Sequence, residues 1–307
     1  MNYTIHQLLI FCKVVECKSI TRAAEELNMT QPAVSIQLKK FQEQFNLPLY
    51  EMHGKKLIIT DMGKEVYESI LEITEKLQLL EYKAKTTGRQ ITGKLKIASA
   101  STGIYVVPYF LSDYLKKYPQ IDLKLDFTNR TNAIKSLLDR TSELAVVSLL
   151  PTSFAVNEEI LIRNELVMVV KNGIDEKNLP MIFREKGSAT RMLMEKYFLH
   201  QKYHLDARHK IELSSNEAVK QAVLAGLGIS IVPLMSIKRE IENGLVKIIP
   251  GEGLPIITHW RVIWLKNKKL SPAASAFVEL IKNTKKQTGF VSFTRIVTNF
   301  KALHFNK

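Results

Sequence analysis

Apolar positions recur along the first part of the chain with the period of amphipathic helices. Ile5, Leu8, Leu9, Phe11, Cys12 and Val15 give one broad face and predict a helix over 4–17. Ser19 is placed to cap a second, short helix over 21–27, which Asn28 and Met29 break. Thr30 caps a third helix with Pro32 in its first turn, where a missing N–H costs nothing. Residues 47–60 read as a short extended hairpin with Gly54 at its tip. Thr60 then caps a long helix. On it Met62, Val66, Ile70, Ile73, Leu77, Leu80 and Ala84 follow at coiled-coil spacing, which predicts a dimerisation helix over 61–88. Gly88 and Gly93 bracket a hinge, placed at 89–93.

From Lys94 the pattern becomes an alternation of strands and helices. Strands are predicted at 95–100, 123–127, 144–147, 181–183, 210–213, 228–232, 246–249 and 262–266, with a strand-rich stretch at 158–171. Helices are predicted over 105–117, 132–140, 189–201, 217–225, 234–243 and from Ala273. Such alternation implies α/β layers with mostly parallel sheets. Two runs that separate near 171–180 predict two lobes with a cleft between them. Lobe I spans about 94–165 and 266–307, and lobe II about 166–265. With the N-terminal helices this makes an α+β multidomain chain.

Composition narrows the classes. A chain of 307 residues is too long for one small domain, and 46% hydrophobic with 24% charged residues is ordinary for a globular protein. No stretch approaches the ~18 uninterrupted apolar residues of a membrane span. The first ten residues lack the pattern of a secretory signal, so a cytoplasmic protein is expected. Two cysteines exclude a disulfide framework.

The charge is less ordinary. Forty-four basic and 30 acidic residues give +14, which favours a polyanionic partner, nucleic acid first. Residues 261–307 hold ten basic residues and one acidic, so most of the excess lies at the C-terminal end.

The third helix carries the chemistry. Val34, Leu38, Phe41 and Phe45 share the side that must pack on the first two helices, and Pro32, Ser35, Ile36, Lys39 and Lys40 occupy the other. A short helix, a tight turn and a helix with such a free face form a helix-turn-helix, whose second helix can enter a major groove. There Gln31 suits adenine, Ser35 a base or phosphate, and Lys39 and Lys40 phosphates, with Ser19, Pro32 and Ile36 as further candidate DNA contacts.

The run Ser19–Leu38, SITRAAEELNMTQPAVSIQL, resembles the signature of LysR-type transcriptional regulators. The matching positions are Ser19, Ala23, Ala24, Leu27, Thr30, Gln31, Pro32, Ala33, Val34, Ser35 and Gln37, with Leu49–Tyr50, Thr60 and Gly63 further on. The resemblance implies a winged helix-turn-helix over 1–60, a long linker helix and a two-lobed periplasmic-binding-protein-like effector domain over 94–307. It implies promoter DNA and a small-molecule effector as partners, a homodimer or dimer of dimers, and contact with RNA polymerase. The chain departs from the family pattern at Met52, where the wing usually carries Arg, at Ile36, and at Phe41–Gln42. Lys55 and Lys56 are placed to replace the lost wing cation.

Other features read as structure. Cys12 and Cys17 are expected to be inert core thiols. His200 and His204 stand four apart with His209 nearby, but no acidic residue or Cys at matching spacing completes a metal site, so none is expected. Gly226-Leu-Gly228 follows a helix and precedes a strand, the reverse of a dinucleotide fingerprint, and reads as a helix end. No nucleophile elbow, Walker motif or zinc pattern occurs. No cofactor and no enzymatic activity are therefore expected.

Ligands of open α/β sheets bind at the C-terminal ends of strands. That rule selects Ser99, Ser101 and Thr102 after the first strand of lobe I, Thr128, Asn129 and Thr131 after the second, and Ser148 after the third. In lobe II it selects Ser188, Thr190 and Ser214 to Asn216, with Ser215 foremost. Such hydroxyl-rich helix starts suit a small anion, which Arg130 and Arg191 lie close enough in sequence to assist. The expected function is an effector-modulated, promoter-binding regulator. The alternative is a cytoplasmic small-molecule-binding protein without a regulatory DNA function.

Overall fold

The computed structural model describes residues 3–54, 56–85, 91–201 and 209–286, in two compact units, Met1–Thr87 and Gly88–Lys307.

The first unit contains α1 (Ile5–Cys17), α2 (Ile20–Glu26), α3 (Gln31–Gln42), β1 (Tyr50–His53), β2 (Lys56–Ile59) and α4 (Asp61–Lys85). Each of the first three helices starts on a side-chain cap. Thr4 and Gln7 cap α1 reciprocally, Ser19 Oγ accepts from Arg22 N at 3.3 Å, and Thr30 Oγ1 accepts from Ala33 N at 3.4 Å. Lys18 and Asn28, both with positive φ, turn the chain out of α1 and towards α3. The apolar faces meet in a core of Ile10, Phe11, Val14, Ala23, Val34, Leu38, Phe41 and Leu49. Phe41 is its aromatic centre, with the rings of Tyr3, Phe11 and Phe45 at 5.6, 5.3 and 5.1 Å. β1 and β2 pair antiparallel around Gly54, whose φ is +63°.

The seam on α4 divides. Ile70 is only 2% exposed, and with Met62, Val66 and Leu71 it packs against this same core. Ile73, at 40% exposure, stands outside it. The first turns of the seam therefore bury against the helix's own unit, which corrects the reading of Ile70 as a dimer residue.

The second unit contains β3 (Gly93–Ala100), a 3-10 turn (Ser101–Tyr105), α5 (Val107–Lys117), β4 (Ile121–Thr128), α6 (Arg130–Leu138), β5 (Leu144–Val147), β6 (Val156–Lys171), β7 (Met181–Arg184), α7 (Ala189–His200), β8 (Lys210–Leu213), α8 (Asn216–Leu224), β9 (Ser230–Pro233), α9 (Leu234–Glu242), β10 (Val246–Ile249), β11 (Ile256–Leu265) and α10 (Pro272–Lys286). Seven strands form one sheet in the order β10-β6-β11-β5-β3-β4, with β9 also on β6, and β7 and β8 pair separately.

The sheet is mixed, not mostly parallel as expected. β3 runs parallel to β4 and β5, but β11 is antiparallel to β5 and β6, and β6 is antiparallel to β9 and β10. The physical reason lies in β6 and β11. They are long strands linked by no single crossover helix, and they run through both lobes against the helix-connected strands of each. The predicted boundary at 165/166 falls inside β6, and Arg261–Ile263 of β11 pair with β5 of lobe I. The lobes thus share two strands. Trp260, Tyr114, Phe277 and Leu95 lie in the core of lobe I; Phe183, Met194, Phe198 and Ile231 lie in that of lobe II.

Candidate functional site

In the first unit, the side of α3 away from the core carries the predicted DNA-reading residues. Gln31, Pro32, Ile36, Lys39 and Lys40 are exposed and Ser35 is half-buried. Gln31 Nε2 donates to Ser35 Oγ at 3.1 Å, which holds the two polar side chains together one turn apart and leaves Gln31 Oε1 to accept. Gln37 points back to α1, where it accepts from the buried Gln7 at 3.1 Å. That bond fixes the rotation of α3 against its support. Ser19, selected as a DNA contact, caps α2. Lys55 and the side chain of Lys56 lie outside the described residues, while Met52 on the wing is exposed.

The attachment of the hairpin is held by three residues. Gln42 Oε1 accepts from Leu49 N at 3.1 Å and Tyr50 N at 3.2 Å. Thr60 donates its hydroxyl to Pro48 O at 2.6 Å and caps α4 by accepting from Gly63 N at 3.0 Å. Gly63 itself lies against the Leu49 carbonyl. The helix bearing the reading face, the wing and the long helix are thereby locked to one another within this unit.

In the second unit, several predicted effector residues are brought to the boundary between the lobes. Ser101 Oγ accepts from Arg184 Nη2 at 3.0 Å, and Thr131 Oγ1 and N both bond Gly187 O. Ser99, Thr102, Ser148, Ser188 and Thr190 are buried. Ser99 donates to Ala100 O at 3.0 Å, and a Cβ at Gly103 would lie 2.2 Å from its Oγ, so the glycine makes room for that hydroxyl. Asn129 caps α6 and Ser215 caps α8, the structural roles those residue types most often take. Thr128 ends β4 half-buried.

The two arginines expected to assist are engaged elsewhere. Arg191 pairs with Glu195 at 2.7 Å and with Glu212, and donates to Arg184 O at 2.9 Å. Burial works against its charge, but those two carboxylates outweigh burial and raise its pKa. Arg130 donates to the carbonyls of Leu149 and Leu150 and approaches Met192 Sδ, all neutral acceptors, while burial lowers its pKa.

The cation at the boundary is Arg184, which sequence reasoning missed. It is the last residue of β7, and its Nε and Nη2 meet the two carboxylate oxygens of Glu185 at 2.7 and 2.8 Å. The available signal is its position: Arg184–Glu185 stands at a strand end, as do the uncharged polar residues selected there.

The features read as structural have structural roles. Cys12 is buried, and burial, reinforced by Glu16, pushes its thiol up to about 12. Cys17 Sγ donates to Glu26 at 3.4 Å. Gly226, with φ +82°, follows the end of α8, and Leu227 N reaches back to Ala222 O at 3.0 Å. His204 lies outside the described residues. Among the described residues no group of three or more His, Cys, Asp or Glu could hold a metal, and no helix is long and apolar enough to cross a membrane.

Comparison with known proteins matches both units. Residues 5–64 fit the family model of the bacterial regulatory helix-turn-helix protein, lysR family, and residues 88–286 fit that of the LysR substrate binding domain. The chain is similar to the HTH-type transcriptional activator CmpR of Synechocystis, with 36% identity over 91% of this chain and 95% of the relative. It is 34% identical to the RuBisCO operon transcriptional regulator of Allochromatium vinosum, over 92% of this chain and 96% of that one. Among solved structures, the regulatory domain of Synechocystis CcmR in complex with 2-PG matches with a TM-score of 0.59 and 28% identity, covering 64% of this chain and 99% of that domain. A full-length OxyR variant from Pseudomonas aeruginosa shares the fold at a TM-score of 0.69 and 17% identity, covering 92% of this chain and 95% of its own. With a capped helix-turn-helix unit, a two-lobed domain of shared strands and both family models matched, the chain belongs to the LysR family of DNA-binding transcriptional regulators.

Proposed function

We propose that this regulator binds its promoter as a homodimer or dimer of dimers, that a small anion held between the lobes sets its DNA binding, and that its target is an operon of the RuBisCO kind. The observation that carries the effector reading is the bond from buried Arg184 of lobe II to Ser101 of lobe I, a guanidinium at the boundary between two lobes that share only strands. Arg130, next to Thr131, is a second guanidinium near this boundary, held among the described residues by the neutral acceptors Leu149 O, Leu150 O and Met192 Sδ. Ser99, Ser101, Thr102, Thr131, Ser148, Ser188 and Thr190 supply the surrounding hydroxyls. The relatives named for RuBisCO operons, and the relative structure holding 2-PG, support the target and the effector class.

The mechanism is linkage. An anion that binds one arrangement of the lobes better than another shifts the population towards it, and the DNA-binding units of the oligomer follow. On DNA, α3 presents Gln31, Ser35 and Ile36 to base edges and Lys39 and Lys40 to phosphates, with RNA polymerase engaged once the regulator is in place. The chain acts by binding, not as an enzyme, in the compartment that holds its target DNA, the cytoplasm of a bacterial cell.

The test is footprinting of the full-length protein on the RuBisCO operon promoter of its own genome, with and without 2-PG. Protection whose extent or position changes with 2-PG is expected. Protection that 2-PG and other small acids leave unaltered would remove the effector reading, and absence of protection would remove the target.

A further inference from the structure

The lobe boundary holds two side chains that are almost wholly buried, and each leaves one polar atom without a hydrogen bond among the described residues. They are Arg184, 3% exposed, at Nη1, and Asn216, 5% exposed, at Oδ1. Neither can turn to satisfy that atom, because the rest of each side chain is committed. Arg184 is clamped by both oxygens of Glu185 and donates to Ser101. Asn216 Nδ2 donates to Tyr105 Oη at 3.5 Å. With the amide nitrogen facing Tyr105 Oη, Oδ1 is turned away from Tyr105.

Both side chains bond one segment of lobe I. Ser101 and Tyr105 are the first and last residues of the same 3-10 turn of lobe I. Arg184 is the register partner of Leu213 in the parallel β7–β8 pair, three residues before Asn216. Both side chains therefore cross from the ends of neighbouring strands in lobe II to one five-residue segment of lobe I. Buried polar groups are nearly always satisfied, and a group left unsatisfied at a binding boundary is a group that a ligand can satisfy. The unmet set is one charged donor and one neutral acceptor.

This set selects among anions. Sulfate and a plain dicarboxylate at neutral pH offer acceptors alone, and would leave Asn216 Oδ1 facing negative charge. An acid that also bears a hydroxyl offers both halves. Building on the proposed anion site, we infer that the effector is a hydroxy acid: its carboxylate or phosphate accepts from Arg184 Nη1, and its hydroxyl donates to Asn216 Oδ1. A ligand bonded this way touches the two residues that already tie lobe II to lobe I, so it stabilises the lobe arrangement that contains both bridges.

The experiment measures thermal stabilisation and affinity of the full-length protein for matched acids that differ by hydroxyl groups: lactate against propionate, malate against succinate, and glycerol 3-phosphate against propyl phosphate. At least one hydroxylated member is expected to bind tenfold or more tightly than its partner. Asn216→Leu should bring that ratio to within threefold while still binding the deoxy acid, and Arg184→Met should abolish binding of both. If Asn216→Leu fails to fold, Asn216→Ala is measured in its place. Equal binding within every pair, or a preference that persists without Asn216, overturns the hydroxy-acid inference and leaves the anion site standing. Stabilisation by none of these acids overturns the anion site itself.

Discussion

A methyl group on Gly63 would lie 2.0 Å from the carbonyl oxygen of Leu49, closer than any real side chain comes to a backbone oxygen. The first turn of α4 is thus pressed against the start of the hairpin, where Thr60 N also donates to Leu49 O at 3.1 Å. Gly63→Ala forces the two segments apart, and the expected loss is about 1–3 kcal/mol, the usual cost of overpacking. Thermal unfolding of the full-length variant should show the loss, with promoter binding reduced at temperatures where the wild type still binds. An unchanged transition would mean that the helix and the hairpin can separate freely.

Ile36 is 55% exposed on the free face of α3, between the hydrogen-bonded Gln31–Ser35 pair and Lys39–Lys40. An apolar side chain in that place fits the methyl group of thymine in the major groove. Ile36→Ala should weaken the cognate complex by about 1 kcal/mol and barely change binding to random DNA. Equal weakening on both DNAs, in competition gel shifts, would rule out base reading by this residue.

The divided seam of α4 separates stability from association. Ile70→Ala removes a core side chain and should destabilise the N-terminal unit by about 2–5 kcal/mol. Ile73→Lys combined with Leu77→Lys leaves that core intact and would bury two unpaired charges in a helix–helix interface. Sedimentation velocity of the double variant should show monomers with full helicity. Intact dimers would place the contact elsewhere on the chain.

The cysteines should be silent in redox assays. The Cys12 thiol, pushed up to about 12 by burial, forms almost no thiolate at pH 8, and burial and the hydrogen bond to Glu26 also raise Cys17. Cys12 in the native protein should react with a thiol reagent only as fast as the N-terminal unit unfolds, with half-buried Cys17 reacting more slowly than a free thiol, and peroxide should not alter promoter binding. The same shift has a stability sign. A thiol whose folded pKa lies above its unfolded value of ~8.5 contributes fully below pH ~8.5, and the contribution falls as pH rises towards 12. Cys12→Ala should flatten the alkaline limb of the stability curve.

Much of the fold was legible because local chemistry and period agree. The bounds of β5 follow from a short apolar run and those of β8 and β10 from short β-branched and alternating segments, and Ser19, Thr30 and Thr60 mark the helix starts they cap. Strand direction was not legible, since period-2 patterning is the same for parallel and antiparallel neighbours. β11 begins at Ile256, six residues before its predicted start, in a stretch where Thr258 and His259 interrupt the apolar run. On α4, spacing shows a stripe but not what covers it, so Ile70 and Ile73 look alike until the fold separates them. At the candidate effector site, hydroxyl residues were found by strand-end position. Arg184 escaped because a charged residue beside Glu185 reads as a solvated pair, and only the fold shows it 97% buried.

The two shared strands make the second lobe, in topological terms, a cassette. Leu166 of β6 and Ile256 of β11 face each other across an antiparallel pair, so the chain enters and leaves the second lobe at a single place. Everything from 167 to 255 is an insertion into one hairpin, and lengthening or exchanging such an insertion costs little loop entropy, about 0.6 kcal/mol for each doubling. A lineage can therefore replace the cassette, and half of the proposed effector site with it, by two crossovers at adjacent points in space. The helices of the N-terminal unit and the strands of lobe I would keep their sequence through that exchange.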